Sequence, residues 1–315
     1  MNNESSISMR AYLIRECLRK ICTSFERDGG ITSFYGIDIN KFSVFVPPQG
    51  YVNRKFNLDG LKIDMLIDCK SKNSEKIIYQ LHGGAYVYNM NDLYRIQALR
   101  LSKISKGATV VTIDYRVAPA NTYPAALTDA VNGWNWLISQ GYKPQNIIVT
   151  GDSAGGNLAL ALCLYLRAKN KEMPKALVLM SPWADLSEEG ESFKTNVYND
   201  PMFGLKKGKQ RKDGFHAIST VYAGNFDTHE PMISPVYADY NNFCPMLIQC
   251  GSEEVLQSCC KTIAEKTADC KNNVKFTQYD GMWHMFQLFG NLFPESAKAW
   301  NEAENFICET FINKK

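Results

Sequence analysis

The chain has 315 residues, 45% of them hydrophobic and 21% charged, which is ample apolar material for one large core. Thirty-five Lys and Arg against 32 Asp and Glu give a net charge of +3 without long like-sign runs, so no nucleic-acid partner is expected. No stretch approaches the ~18 to 20 consecutive apolar residues of a membrane span, and Arg10, Arg15, Glu16, Arg19 and Lys20 interrupt the apolar positions near the start. Neither a transmembrane anchor nor a secretory signal is expected. The 10 cysteines are scattered, with Cys259 and Cys260 adjacent and no CxxC spacing. That pattern suits reduced thiols in a cytoplasmic protein better than a disulfide framework or a metal cluster.

In chain order, apolar residues at helical spacing predict a helix from Met9 to Phe25, followed by an irregular, Gly-bearing stretch. Short β-rich runs then occur at Leu61 to Ile67, Ile77 to Leu81, Thr109 to Ile113, Ile147 to Thr150, Leu177 to Met180, Met246 to Cys250 and Val274 to Tyr279. Helical patterns fall between most of them, at Asp92 to Lys106, Ala125 to Gln140, Asn157 to Lys169 and Leu256 to Lys271, and a last one runs from Glu295 to Phe311. This alternation predicts an α/β fold with a mostly parallel central sheet and helices on both faces. No repeat or linker divides it. Residues 188–242 are too many for a simple connection, so they are expected to form a cap insert. The expected organisation is residues 1–45 as an N-terminal cap segment, 46–187 and 243–315 as the core, and 188–242 as the insert. Its basic run, Lys206 to Lys212, is expected to be a solvated loop.

The strongest chemical signal is Asn146-Ile-Ile-Val-Thr-Gly-Asp-Ser-Ala-Gly-Gly-Asn, which sets GxSxG between a buried-strand run and a helix. The pentapeptide alone would arise by chance in about a tenth of chains this long, with Gly and Ser at ~7% each. Its strand-turn-helix context makes it a nucleophile elbow, presenting the Ser153 hydroxyl in a tight turn and the Ala154 amide toward a nascent oxyanion.

A serine hydroxyl needs a positioned base, and the chain offers His82, His216, His229 and His284. His82 precedes two glycines just after a strand, and His216 and His229 lie in the insert. His284 follows the last strand in a glycine-bearing loop and fits the order Ser, acid, His, so it is the expected base. Gly83 and Gly84, in Leu81-His82-Gly-Gly-Ala, expose backbone amides after a strand and are expected as further oxyanion donors. The triad acid should follow the strand Met246 to Cys250, where Glu253 and Glu254 stand, with Asp269 and Asp280 as alternatives.

With HGGA, GDSAGG and the GMWH loop, residues 60–310 resemble the hormone-sensitive-lipase-like branch of the α/β-hydrolase family, which includes bacterial carboxylesterases and arylacetamide deacetylases. Asp114-Tyr-Arg-Val-Ala-Pro, Tyr123-Pro-Ala-Ala-Leu-Thr-Asp-Ala and Ser181-Pro-Trp-Ala-Asp-Leu-Ser add to the likeness. The resemblance implies that the acid is Glu254, before Val255-Leu256, although Asp is usual there. A common acidic residue four positions on is Ser258 here. It also implies a cap built from both irregular regions, ester hydrolysis through an acyl-enzyme without metal or organic cofactor, and a homodimer through the edge strand near Val274 to Tyr279.

The expected function is a serine carboxylesterase acting on small esters of short to medium acyl chain. An amide hydrolase, such as a deacetylase or arylformamidase, would use the same machinery. A non-catalytic small-molecule receptor on this scaffold is the contrasting class, but such receptors typically lack the base that His284 supplies. Tyr86, Trp183, Phe203, Phe215 and Trp283 are expected as pocket-lining candidates.

Overall fold

The computed structural model describes residues 7–25, 45–204 and 216–312. Eight strands form one sheet: β1 (Tyr51–Leu58), β2 (Leu61–Asp68), β3 (Ile77–Leu81), β4 (Thr109–Asp114), β5 (Ile147–Asp152), β6 (Ala176–Met180), β7 (Met246–Gly251) and β8 (Val274–Tyr279). Their order is β1-β2-β4-β3-β5-β6-β7-β8. From β4 to β8 neighbours run parallel, while β2 is antiparallel to both β1 and β4. Every residue of β3, β5, β6 and β7 is buried, which is why these segments read as unbroken apolar runs.

The helices are α1 (Met9–Phe25), α2 (Asp92–Ile104), α3 (Ala125–Ser139), α4 (Ala154–Ala168), α5 (Ser192–Thr195), α6 (His216–Ala223), α7 (Gln257–Asp269) and α8 (Pro294–Ile312). Successive strand side chains point to opposite faces, and the core divides accordingly. Ile77, Tyr79 and Leu81 pack with residues of α3, α4 and α7, whereas Ile78 packs with Ala98 and Leu101 of α2 and Trp300, Ala303 and Ile307 of α8. The chain passes from β3 to β4 on one side and returns to β5 on the other, so the strand order reverses around β3. In open α/β sheets the carboxyl ends of strands at such a reversal bound the ligand crevice.

Two elements differ from expectation. β1, rich in polar residues and mostly exposed, carries no clear alternation; it is held by pairing along its whole length with β2. The available signal was Asp59-Gly60, a hairpin turn with φ of 49° and 96°. Helix α4 begins at Ala154 rather than Asn157, directly after the candidate nucleophile.

Helix α1 seats Ala11 in a cluster with Tyr279, Met282, Trp283, Phe286, Phe293 and Ala299, flanked by Ile7, Ile14 and Leu18. Ser8 fixes its start, donating from N and Oγ to the Glu295 carboxylate at 2.6 and 2.8 Å. The irregular stretch after α1, the basic run Lys206 to Lys212 and Phe215 lie outside the described residues. Among the described residues no helix is long and apolar enough to cross a membrane, and no disulfide is formed.

Removing residues 1–30 uncovers the Trp283 cluster, a loss of roughly 2 kcal/mol or more of apolar burial. The truncated protein should melt about 5 °C lower and show red-shifted tryptophan fluorescence. Unchanged melting and emission would mean that α1 is not part of the cooperative core.

Candidate active site

The end of β5 is crowded. A Cβ on Gly151 would lie 2.2 Å from the Gly155 carbonyl oxygen, and one on Gly155 would lie 2.1 Å from the Leu81 carbonyl oxygen. Only glycine fits at either position, and between them Ser153 adopts φ 50°, ψ −120°. Such a conformation costs on the order of 1–3 kcal/mol and persists because the surroundings enforce it. Ser153 N donates to Met180 O at 3.0 Å, while its carbonyl accepts from Trp183 N at 2.9 Å and Asn157 N at 3.1 Å. The side chain is turned out of the strand toward the loop after β8. There His284 Nε2 lies 3.0 Å from Ser153 Oγ.

Behind the imidazole, Glu254 Oε2 lies 3.5 Å from His284 Nδ1, an ion-pair contact long for a hydrogen bond. Glu254 is fully buried and His284 is 1% exposed. Burial pushes the Glu254 carboxyl above its ordinary range, while His284 and the Ser181 hydroxyl pull it back down. Glu253 uses its backbone N–H on Met282 O at 2.9 Å, and its side chain is not buried. Asp269 and Asp280 are both exposed. Among these four carboxylates, Glu254 is thus the one brought to the histidine.

Two other histidines are occupied elsewhere. His82 is buried, stacked on Tyr115 at 4.0 Å, and donates from Nδ1 to Gly83 O at 2.7 Å. Burial pushes its pKa down to about 4, so the ring is neutral. His229 is exposed and contacts Asp227 and Glu189. Of the His216 side chain nothing is described.

The loop after β3 is crowded at Gly83, where a Cβ would lie 2.4 Å from Asp152 Oδ2. Tyr94 donates to that oxygen at 2.9 Å. Burial pushes Asp152 up to about 7 against that hydrogen bond and the pull of His284. Gly84, with φ 107°, and Ala85, with φ 53°, follow in the left-handed region, and among the described residues neither amide bonds another backbone group. The Ala154 amide opens α4, where an α-helix leaves its N–H groups without internal partners. Sequence reasoning missed Asp152 and Tyr94, which crowd the β3 loop. A glycine pair in a motif draws attention to itself; the residue before the serine and the helix across from it do not.

The pocket candidates separate. Tyr86 stacks on Tyr222 of α6 at 3.6 Å and donates to Asn157 Oδ1 at 2.6 Å. Trp183 is buried beside the elbow, bonded to it through its backbone. The Phe203 ring lies 4.6 Å from that of His284. The Trp283 ring packs with Phe289 and Phe293 in the α1 cluster.

Cys250, Glu254 and Cys260 bring one donor atom each within 4.8 Å of one another. Burial raises both thiols, Cys260 well above its ordinary value, which opposes the thiolate form that a metal ligand needs. An ion there would also occupy the carboxylate that faces His284.

A family model described as alpha/beta hydrolase fold matches residues 78–288. An esterase of Acinetobacter venetianus is 32% identical over 234 residues, 74% of this chain and 75% of that protein. An acetyl-hydrolase of Streptomyces hygroscopicus is 31% identical over 237 residues, 75% and 77% of the two chains. Among solved structures, an esterase from the bacterial hormone-sensitive lipase family shares 25% identity with a TM-score of 0.81, covering 97% of this chain and 99% of that one. A hormone-sensitive lipase from a metagenome library gives 27% identity and a TM-score of 0.82, over 95% and 98%. The matched residues take in the elbow, the β3 loop, Glu254 and His284, and so the chain belongs to the α/β-hydrolase fold family, among its hormone-sensitive-lipase-like esterases.

Proposed function

We propose that the chain is a serine carboxylesterase cleaving carboxylic esters of short to medium acyl length, with Ser153, His284 and Glu254 as its triad. The observation that carries this reading is the 3.0 Å contact between Ser153 Oγ and His284 Nε2 on a strained elbow, with a buried carboxylate behind the ring. Ser153 Oγ attacks the ester carbonyl carbon as its proton passes to Nε2. The carbonyl oxygen becomes an oxyanion held by the N–H groups of Ala154, Gly83 and Gly84. When the tetrahedral species collapses, the ester C–O bond breaks and His284 returns the proton to the departing alkoxide. Water then attacks the acyl-enzyme by the same route, releasing the acid. Glu254 holds the ring through Nδ1–H and stabilises the imidazolium, its 3.5 Å contact tightening as charge develops.

Residues 1–45 and 188–242 form the cap in this reading. It is supported by Phe203 beside His284 and Tyr222 against Tyr86. Tyr86 and Trp183 contribute walls. The open outer edge of β8, whose backbone pairs with β7, supports a homodimer, and the unpaired thiols suit a cytoplasmic setting.

Ser153→Ala should fold normally yet lose at least ~10³ in kcat, and a phosphonate probe should label the wild type at Ser153 alone. Labelling at another serine, or retained turnover, overturns the nucleophile. Glu254→Gln should cost roughly 10² to 10⁴ in kcat on one ester at one pH, and Glu253→Gln under about tenfold. The reverse ranking would move the acid to Glu253. A panel of p-nitrophenyl esters of rising chain length, run beside the matched anilides, should show turnover falling beyond medium chains and esters preferred throughout. Anilides cleaved faster than esters would make the enzyme an amidase.

A further inference from the structure

The segment after α5 belongs to the insert, yet it grips the loop that carries Glu254. Asn196 Nδ2 donates to the carbonyl oxygens of Ser252 and Glu254, both at 2.9 Å. Asp200 Oδ2 accepts the Val255 N–H at 3.1 Å, while its Oδ1 accepts the N–H groups of Met202 at 2.9 Å and Phe203 at 3.3 Å. Ser192 Oγ donates to Val255 O at 2.5 Å. The peptide unit between Glu254 and Val255 is thus held at both its oxygen and its N–H from the insert, and the next carbonyl is held as well. Ser258, the position where the resembled branch commonly carries an acid, is tied to Ser192 Oγ at 2.6 Å.

The turn that follows is built tightly. A Cβ on Gly204 would lie 2.1 Å from Asp200 O and 2.7 Å from Val197 O, so glycine is required there. That turn leaves Phe203 against His284 and Asp200 2% exposed. Three backbone N–H groups favour the ionised form of Asp200 against the cost of burial, and His284 adds to them. Glu254 is the carboxylate in contact with the imidazole, and Asp200 stands behind the Glu254 loop.

We propose that Asn196 and Asp200 are positioning residues of the triad, fixing the peptide units around Glu254 so that its carboxylate stays aimed at His284 Nδ1. This rests on Glu254 being the triad acid. A side chain as long as glutamate needs such support, because a loop displacement of about an ångström would break a contact that already stands at 3.5 Å.

The test measures kcat and KM for p-nitrophenyl butyrate across pH, with melting curves, for the wild type, Asn196→Ala, Asp200→Asn, Glu254→Gln and the Asn196→Ala/Glu254→Gln double variant. Asn196→Ala should lower kcat about 10- to 100-fold with KM within about threefold, leaving the acidic limb of kcat/KM in place. Asp200→Asn, which puts an amide where Oδ2 accepts the Val255 N–H, should also lower kcat by more than about threefold with KM within about threefold. In the Glu254→Gln background Asn196→Ala should cost less than about threefold, since its route through the carboxylate no longer exists. If Glu254→Gln is crippling while the Asn196 and Asp200 variants keep kcat within about threefold, the positioning role is wrong. It is equally wrong if the Asn196→Ala loss persists in full without the carboxylate. A silent Glu254→Gln overturns the acid itself, and the positioning role with it. Should Asp200→Asn fail to fold, the Asn196→Ala cycle decides alone.

Discussion

Backbone crowding at the end of β5 governs the rest of this molecule. Gly151 and Gly155 bring helix α4 so close to β5 and to the end of β3 that no side chain fits, and Ser153 is forced into a conformation few L-residues adopt. The strain is small beside the burial that enforces it, since β3, β5 and β6 are covered on both faces and Ser153 is hydrogen-bonded to Met180, Trp183 and Asn157. Several consequences descend from one turn. The hydroxyl leaves the strand toward His284, the first amide of α4 is aimed into the crevice, and the β3 loop is pressed alongside. A looser elbow would have to reach each of these separately, with entropy lost at every step.

The site is buried, and its charges are arranged accordingly. Asp152, Glu254 and Asp200 each sit where burial alone would neutralise them, and each is drawn back toward ionisation by hydrogen bonds and by the imidazole. Glu254 is the one in contact with His284. Asp152 accepts the Tyr94 hydroxyl beside the β3 loop.

What could be read from sequence was local. Strand and helix runs from β2 onward follow from unbroken or periodic apolar patterns, and Ser153 and His284 follow from short motifs next to strands. β1 escaped because its stability comes from pairing with β2 across Asp59-Gly60 rather than from its own composition. Gly83 was read from its glycine pair, but the crowding around it comes from Asp152, far along the chain, and from Tyr94 on α2. Trp283 was read from its proximity to His284 in the chain, whereas its ring packs in the α1 cluster. Asn196 and Asp200 carry no motif that announces them. Their contacts join segments 58 and 55 residues apart, and only the fold brings those together.

Gly251 closes β7 with its Cα against the loop of the base: a Cβ there would lie 2.2 Å from the Met282 carbonyl oxygen. The turn bearing the acid and the turn bearing the base thus run past each other main chain to main chain, with no cushion of side chains between. Neither can be lengthened by a residue without pushing the other. A length change at this crossing would have to be taken up by both turns, so the spacing from Gly251 to Glu254 and from Met282 to His284 behaves as a single fixed measure. The two turns are accordingly one mechanical unit, although they follow separate strands.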